Sequence, residues 1–169
     1  MQIQLKERTE ETVKVYYEKS QDPRITATLP RRDITLEQAL EEYRASLLPG
    51  AGSFGQTIWA DGEYVGDIWC YGIGREASPQ AMLSYCVFEP AFWGKGIATQ
   101  ALALFLPLLE TRFALRDLGA FTFSANLASC RLLEKAGFVC REEFEEEGVL
   151  SRFYQKGPEE RADKSGKSI

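Results

Sequence analysis

Apolar and polar residues change their spacing along this chain, and the changes separate strands from helices. Residues 3–7 alternate through Ile3 and Leu5 and predict a short strand. Thr9 then offers an N-cap, Glu10 and Glu11 fill the first turn, and Lys19 sits near the end. Val13, Tyr16, Tyr17 and Ser20 recur at helical spacing, so a helix is expected to about Ser20. Asp22-Pro23 stops it. Thr35 opens a second helix with the stripe Leu36, Ala39, Leu40 and Tyr43, closed by Pro49-Gly50. Residues 55–60 and 64–71 read as strands joined at the hairpin signal Asp61-Gly62, and residues 81–88 as a third, ended by Pro90.

A long helix is predicted over residues 95–116, with Ala98, Ala101, Leu102, Phe105, Leu108 and Leu109 on one side. Pro107 inside it should kink it by removing one backbone bond. Residues 120–124 form a further strand and residues 128–136 a short helix, with Gly137 at the left-handed C-cap position. Residues 139–144 and 149–155 make a last hairpin around Glu146-Glu147-Gly148. The order is β-α-α-β-β-β-α-β-α-β-β. A strand, a long helix and another strand imply a crossover to a parallel neighbour, whereas the hairpins imply antiparallel ones. A mixed α/β sheet with helices on both faces follows. Residues 1–156 read as one domain, and residues 157–169 as a polar, frayed tail.

Composition adds mainly exclusions. The 169 residues are 44% apolar and 27% charged, as in an ordinary globular protein. A net charge of −5 argues against a nucleic-acid partner. No run is long enough for a membrane span, and MQIQLKERTEE has no secretory h-region. Cys70, Cys86, Cys130 and Cys140 lack paired metal-ligand spacing, and the chain has no histidine, so no metal site is expected. Reduced cysteines of this kind fit the cytoplasm. The missing histidine excludes Ser-His-Asp and Cys-His catalysis and leaves any general base to a carboxylate, a tyrosine or water.

Candidate chemistry sits in FEPAFWGKGIATQALALF, residues 88–105, where Gly94 and Gly96 bracket Lys95 at the start of the long helix. Bare N–H groups at a helix start, with the positive end of its dipole, can cradle a phosphate or pyrophosphate. A plain strand-to-helix turn would also use glycine there, and turn chemistry alone does not choose between the two. The dinucleotide fingerprint fails at Thr99, and the P-loop-like Gly166-Lys167-Ser168 has no helix to follow it. A second constellation, NLASCRLLEKAGF, covers residues 126–138. Asn126, the only asparagine, can cap the short helix, and Ser129 faces the same region three residues later.

VFEPAFWGKGIATQAL followed by NLASCRLLEKAGF resembles the GNAT acyl-CoA-dependent N-acetyltransferases, nearest to the ribosomal-protein N-terminal (alanine/serine) acetyltransferase branch. The opening IQLKERTEETVKVYYEKSQDP is similar to that branch as well. The resemblance implies a GNAT-like, mixed and mostly antiparallel sheet of about seven strands, splayed between the fourth and fifth, with about four flanking helices. It implies acetyl-CoA as acyl donor, with its pantetheine arm along Cys86, Val87 and Phe88 and against Asn126. The pyrophosphate would lie at Trp93, Gly94, Lys95, Gly96, Ile97, Ala98 and Thr99, and the thioester sulfur near Ser129.

Three departures stand out, one of them Gln100 where the family commonly has a glutamate after the Ala-Thr step. Trp93 replaces the family's usual Gln or Arg, and Leu133 stands where many members carry a tyrosine acid, which leaves Ser129 as proton donor. The implied activity is direct transfer of acetyl to a primary amine, on a small molecule or a protein N-terminus. A catalytically silent CoA-binding module, a sensor or assembly partner, is the alternative; Asn126 with Ser129 favours the enzyme. A homodimer stays open. A backbone N–H near Cys86 or Val87 is expected to polarise the thioester carbonyl. Asp67, Tyr85 and Glu89 are base candidates by position, with water the default. Asp67 alternates with Ile68, and a strand aspartate commonly faces solvent. Tyr85 can equally be a cleft wall. Trp59, Trp69 and Tyr71 are candidates for an acceptor pocket or for the core, and the glutamates of residues 142–147 for attracting a cationic substrate or for a solvated hairpin.

Overall fold

The computed structural model describes residues 1–29 and 32–157. The expected tail lies, past Gly157, outside them. The order is β1 (Ile3–Glu7), α1 (Glu10–Lys19), α2 (Pro23–Thr26), α3 (Leu36–Ser46), β2 (Ser53–Ala60), β3 (Glu63–Tyr71), β4 (Ala81–Val87), a 3-10 turn (Pro90–Phe92), α4 (Ile97–Phe113), β5 (Leu118–Phe123), α5 (Leu127–Lys135), β6 (Val139–Glu146) and β7 (Val149–Lys156).

Local chemistry sets the helix starts. The Thr9 hydroxyl accepts from the Thr12 N–H at 3.1 Å while Thr12 accepts from the Thr9 N–H at 2.9 Å, a reciprocal cap on α1. Thr35 and Gln38 repeat the device on α3. Asp22-Pro23 stops α1, as its sequence predicts, but it also starts α2, which the sequence reading lacks: Asp22 Oδ1 accepts from the Arg24 N–H at 2.9 Å, and Pro23 needs no acceptor in a first turn. The long helix is shorter than expected, Ile97–Phe113, and continues as one element through Pro107.

The seven strands form one sheet in the order β1-β2-β3-β4-β5-β7-β6. Every neighbouring pair is antiparallel except β4 and β5, which are parallel and paired at Ala81–Leu118 and Met82–Gly119 alone. α4 makes the crossover between them. Its buried residues Ile97, Ala101, Leu102, Phe105 and Leu109 lie against Ile58, Ile68, Leu83, Leu118 and Ala120 in the main core. Cys130 and Leu133 of α5 join that core from the same face. On the other face a second cluster, Ile25, Cys86 and Phe88 with Tyr16, Leu29, Tyr64 and Trp69, seats α1 and α2 over β3 and β4.

Gly66 in β3 stands opposite Val87. A Cβ there would lie 2.2 Å from the Cys86 carbonyl oxygen and 2.9 Å from Val87 Cα, so β4 packs onto bare backbone. Gly66→Ala is expected to cost about 1–3 kcal/mol, because main chain cannot swing aside as a side chain can. Denaturant unfolding of the variant checks this.

Candidate active site

Past Met82 and Gly119 the parallel strands separate, and β4 is left with a free edge inside the sheet. Its hydrogen-bonding parity decides what that edge offers. The Phe88 N–H bonds the Val65 carbonyl at 2.9 Å, so by alternation the Cys86 N–H and carbonyl also face β3, opposite Asp67. The backbone groups of Tyr85 and Val87 then face the gap. Of the two amides expected near the thioester carbonyl, Cys86 is therefore engaged by β3, and Val87 is available. The Val87 carbonyl accepts the Trp93 indole N–H at 2.8 Å.

The gap is a cavity of about 900 Å³, at the upper end of small-molecule sites. Phe92, Trp93, Gly94, Gly96, Ile97, Ala98 and Thr99 line one end of it. Gly94 and Gly96 adopt φ of 73° and 74°, and Gly96 is the N-cap of α4 without any side-chain cap bond. The Gly96 carbonyl accepts the first intrahelical bond, from the Gln100 N–H at 3.1 Å, which leaves the N–H groups of Ile97, Ala98 and Thr99 at the exposed helix start. Apart from adjoining residues of the chain, no atom of the described residues lies within 4 Å of where a Cβ would stand on either glycine. Space, orphan donors and the helix dipole together fit a diphosphate. Lys95 swings away, its Nζ 5.5 Å from the centre of the Phe92 ring. Arg131 and Lys135 of α5 also line the cavity and add positive charge. Neither features among the sequence candidates; their four-residue spacing, which puts both on one helix face, was the available signal.

Across the gap, Ser129 Oγ and the Tyr85 hydroxyl are 2.7 Å apart, and either can donate. Asn126 Oδ1 accepts from the Ser129 N–H at 3.2 Å, so Asn126 caps α5 and fixes Ser129 in its first turn. Burial pushes the Tyr85 phenol up to about 12, against the pull of the Ser129 hydroxyl. Tyr85 thus holds its proton at neutral pH. Burial likewise pushes the Cys86 thiol up to about 12, so it is not a ready thiolate nucleophile.

The other two base candidates lie elsewhere. Asp67 does not face solvent: it is 2% exposed, accepts from the Tyr64 hydroxyl at 2.5 Å, and has the Arg8 guanidinium at 3.4 Å. A strand aspartate faces solvent when one sheet face is open, and here α1 covers it. Glu89 pairs with Lys19 at 3.0 Å outside the cleft. Trp59 stacks on Tyr64 and Trp69 meets Tyr16 edge-on, both away from the cavity, and Tyr71 lies at its own exposed end of β3. The cavity is lined instead by Thr28 and Leu29 after α2, and by Phe121, Phe144, Glu146 and Glu147 of β5 and the β6-β7 hairpin. Strand register, which composition does not carry, is what brings these together.

A profile of the acetyltransferase (GNAT) domain matches residues 2–139, and the chain belongs to the GNAT acetyltransferase family. Its activity is acetyl-CoA-dependent N-acetylation of an amine. Curated protein sequences contain no match. Among solved structures, the aminoglycoside acetyltransferase AAC(6')-Ib in complex with coenzyme A has a TM-score of 0.76 at 20% identity, covering 97% of this chain and 99% of that one. Spermidine N-acetyltransferase from Vibrio cholerae, with CoA and spermine, has a TM-score of 0.78 at 15% identity over 91% and 94% of the two chains. RimL, a ribosomal L7/L12 alpha-N-protein acetyltransferase, has 0.71 at 16% identity over 91% and 89%. At such identities the likeness is one of fold.

Two measurements test the site. Gly96→Val, which places a branched side chain beside the helix mouth, should lower CoA affinity by at least about tenfold in titration calorimetry, beyond the ~1–2 kcal/mol of strain at its positive φ. Burial raises the Asp67 carboxyl from 3.8 to about 6, against the pull of Arg8 and Tyr64. The folded protein therefore favours the protonated carboxyl, and stability from this group is largest below pH 3.8 and falls as pH rises through about 6. The stability difference between wild type and Asp67→Asn should shrink across that window and stay flat above it, as read by chemical denaturation at each pH.

Proposed function

We propose that the chain moves acetyl directly from acetyl-CoA to a cationic primary amine, with Ser129 and Tyr85 as the proton-delivering pair and no acyl-enzyme. The observation that carries this reading is the Ser129–Tyr85 hydrogen bond at 2.7 Å spanning the parted strands. When bound, acetyl-CoA supplies an activated acetyl thioester. The N–H groups of Ile97, Ala98 and Thr99 bind its diphosphate end. The Val87 N–H faces the gap and can donate to the thioester carbonyl oxygen, where negative charge grows as the amine attacks.

Ser129 Oγ then gives its proton to the departing sulfur, Tyr85 passes its phenolic proton to Oγ through the bond already made, and water at the open cleft reprotonates Tyr85 and takes the proton that the attacking nitrogen sheds as the amide forms. The acceptor amine must lose a proton before it attacks. With Asp67 locked to Arg8 and Tyr64, Glu89 held by Lys19, and Tyr85 protonated, that proton passes to water at the open cleft. Glu146 and Glu147, which line the acceptor side, favour a cationic amine over a neutral one. The buried, protonated Cys86 thiol supports direct transfer over an acyl-cysteine route.

Ser129→Ala should lower kcat by about 100-fold, the scale of a lost acid, with little change in CoA affinity. Thiol release from acetyl-CoA, followed with a panel of primary amines, measures it. An unchanged rate removes Ser129 from the mechanism, and release with no amine in the panel removes the proposed activity.

A further inference from the structure

The two faces of the sheet are covered unequally. Among the described residues, α4 and α5 pack on one face over both halves, and α1 and α2 cover the other only over β3 and β4. Register identifies what the remaining half, β5-β7-β6, presents there. Phe121 pairs with Phe153 and Phe153 with Glu142; Phe123 pairs with Ser151 and Ser151 with Phe144; Val149 pairs with Glu146. Directly paired residues point to the same side, so these side chains share the uncovered face. Phe121 is 55% exposed and Val149 44% exposed. The Phe121 ring lies 5.9 Å from that of Phe144 and 5.4 Å from that of Phe153, a continuous aromatic patch. Glu142 and Glu146 flank Phe144 on its strand, and neither carboxylate has a hydrogen-bond or ion-pair partner among the described residues. Phe121, Phe123, Phe144, Glu146, Val149 and Ser151 of this face also border the cavity. The patch is therefore an extension of the acceptor side of the cleft.

Resting on the acetyltransfer proposed above, we infer that this face is the docking track of a basic polypeptide acceptor, whose N-terminal amine reaches Ser129 while the segment behind it lies over the phenylalanines. Carboxylates four residues apart on one strand stand about 13 Å apart, with an aromatic ring between them. An extended peptide matches that with the pattern basic-x-apolar-x-basic, because its alternate side chains share a side at the same repeat. Charge selects this occupant over a second copy of the chain. At a net charge of −5, face-to-face pairing would set unpaired carboxylates against each other, and like charges at contact repel.

The test uses the full-length chain with acetyl-CoA and three acceptors: a peptide with a free N-terminus followed by basic-x-apolar-x-basic, the same peptide with glutamates for the basic residues, and a small primary amine. Thiol release gives kcat and KM for each. The basic peptide should exceed the acidic one in kcat/KM by about tenfold or more, in line with two contacts of ordinary interface strength. Glu142→Gln and Phe153→Ser, both outside the cavity, should each raise KM for the basic peptide several-fold and leave kcat, CoA affinity and the small-amine rate unchanged. Circular dichroism reports whether Phe153→Ser folds, and Glu142→Gln carries the test if it does not. Equal use of both peptides, or loss of the small-amine rate in step with the peptide rate, overturns the docking track while leaving the acetyltransfer standing. Sedimentation showing a wild-type dimer that Phe153→Ser dissociates also overturns it, in favour of a second copy. Thiol release with none of the three acceptors overturns both.

Discussion

The separation of β4 from β5 is the constraint on which the site depends. A strand in the middle of a sheet normally has both rows of its backbone groups paired, and an unpaired buried peptide group is costly. Here β4 is paired with β5 at two positions and then departs, so Tyr85 and Val87 present main chain to a cavity. The departure is possible because each side of the gap is fixed by something else. β4 is held through β3 by full antiparallel pairing and by close packing on Gly66, and β5 is held by β7 along its length.

The chemistry is placed by the two helices that follow the parted strands. α4 begins where β4 has left the sheet, and α5 begins where β5 has. One brings uncapped N–H groups, the other brings Ser129 in a first turn fixed by Asn126. Both helix starts border the same cavity. The same arrangement separates charges: Arg131 and Lys135 border the cavity on the helix, and Glu146 and Glu147 border it from the hairpin.

Much of this is legible in the residues. Alternation and capping types locate all seven strands and the three longer helices beyond α1, and the glycine pair marks the α4 start. The misses share a cause. Asp67 and the acceptor side depend on which side of a strand is covered, and that is a question of register and of helices from distant parts of the chain. Alternation gives two faces without saying which one a helix will hide, so Asp67 reads as solvent-facing although Arg8 and Tyr64 enclose it. Likewise Phe121, Phe144 and Phe153 look like ordinary strand aromatics until pairing sets them on one face. Short α2 is hidden for another reason: Asp22-Pro23 is as good a helix stop as a helix start.

Trp93 bonds the Val87 carbonyl, one of the two carbonyls, with that of Tyr85, that the β4 edge turns to the gap. An arm that pairs with Val87 thus replaces a bond that already exists, and when it departs the indole can resume its place. At Val87 neither the empty nor the filled state leaves a naked carbonyl, so arrival and departure are nearly balanced in hydrogen bonding at that residue. An enzyme that discards a used thiol carrier in every cycle is served by that balance, since grip gained at the strand edge would be repaid as slow release.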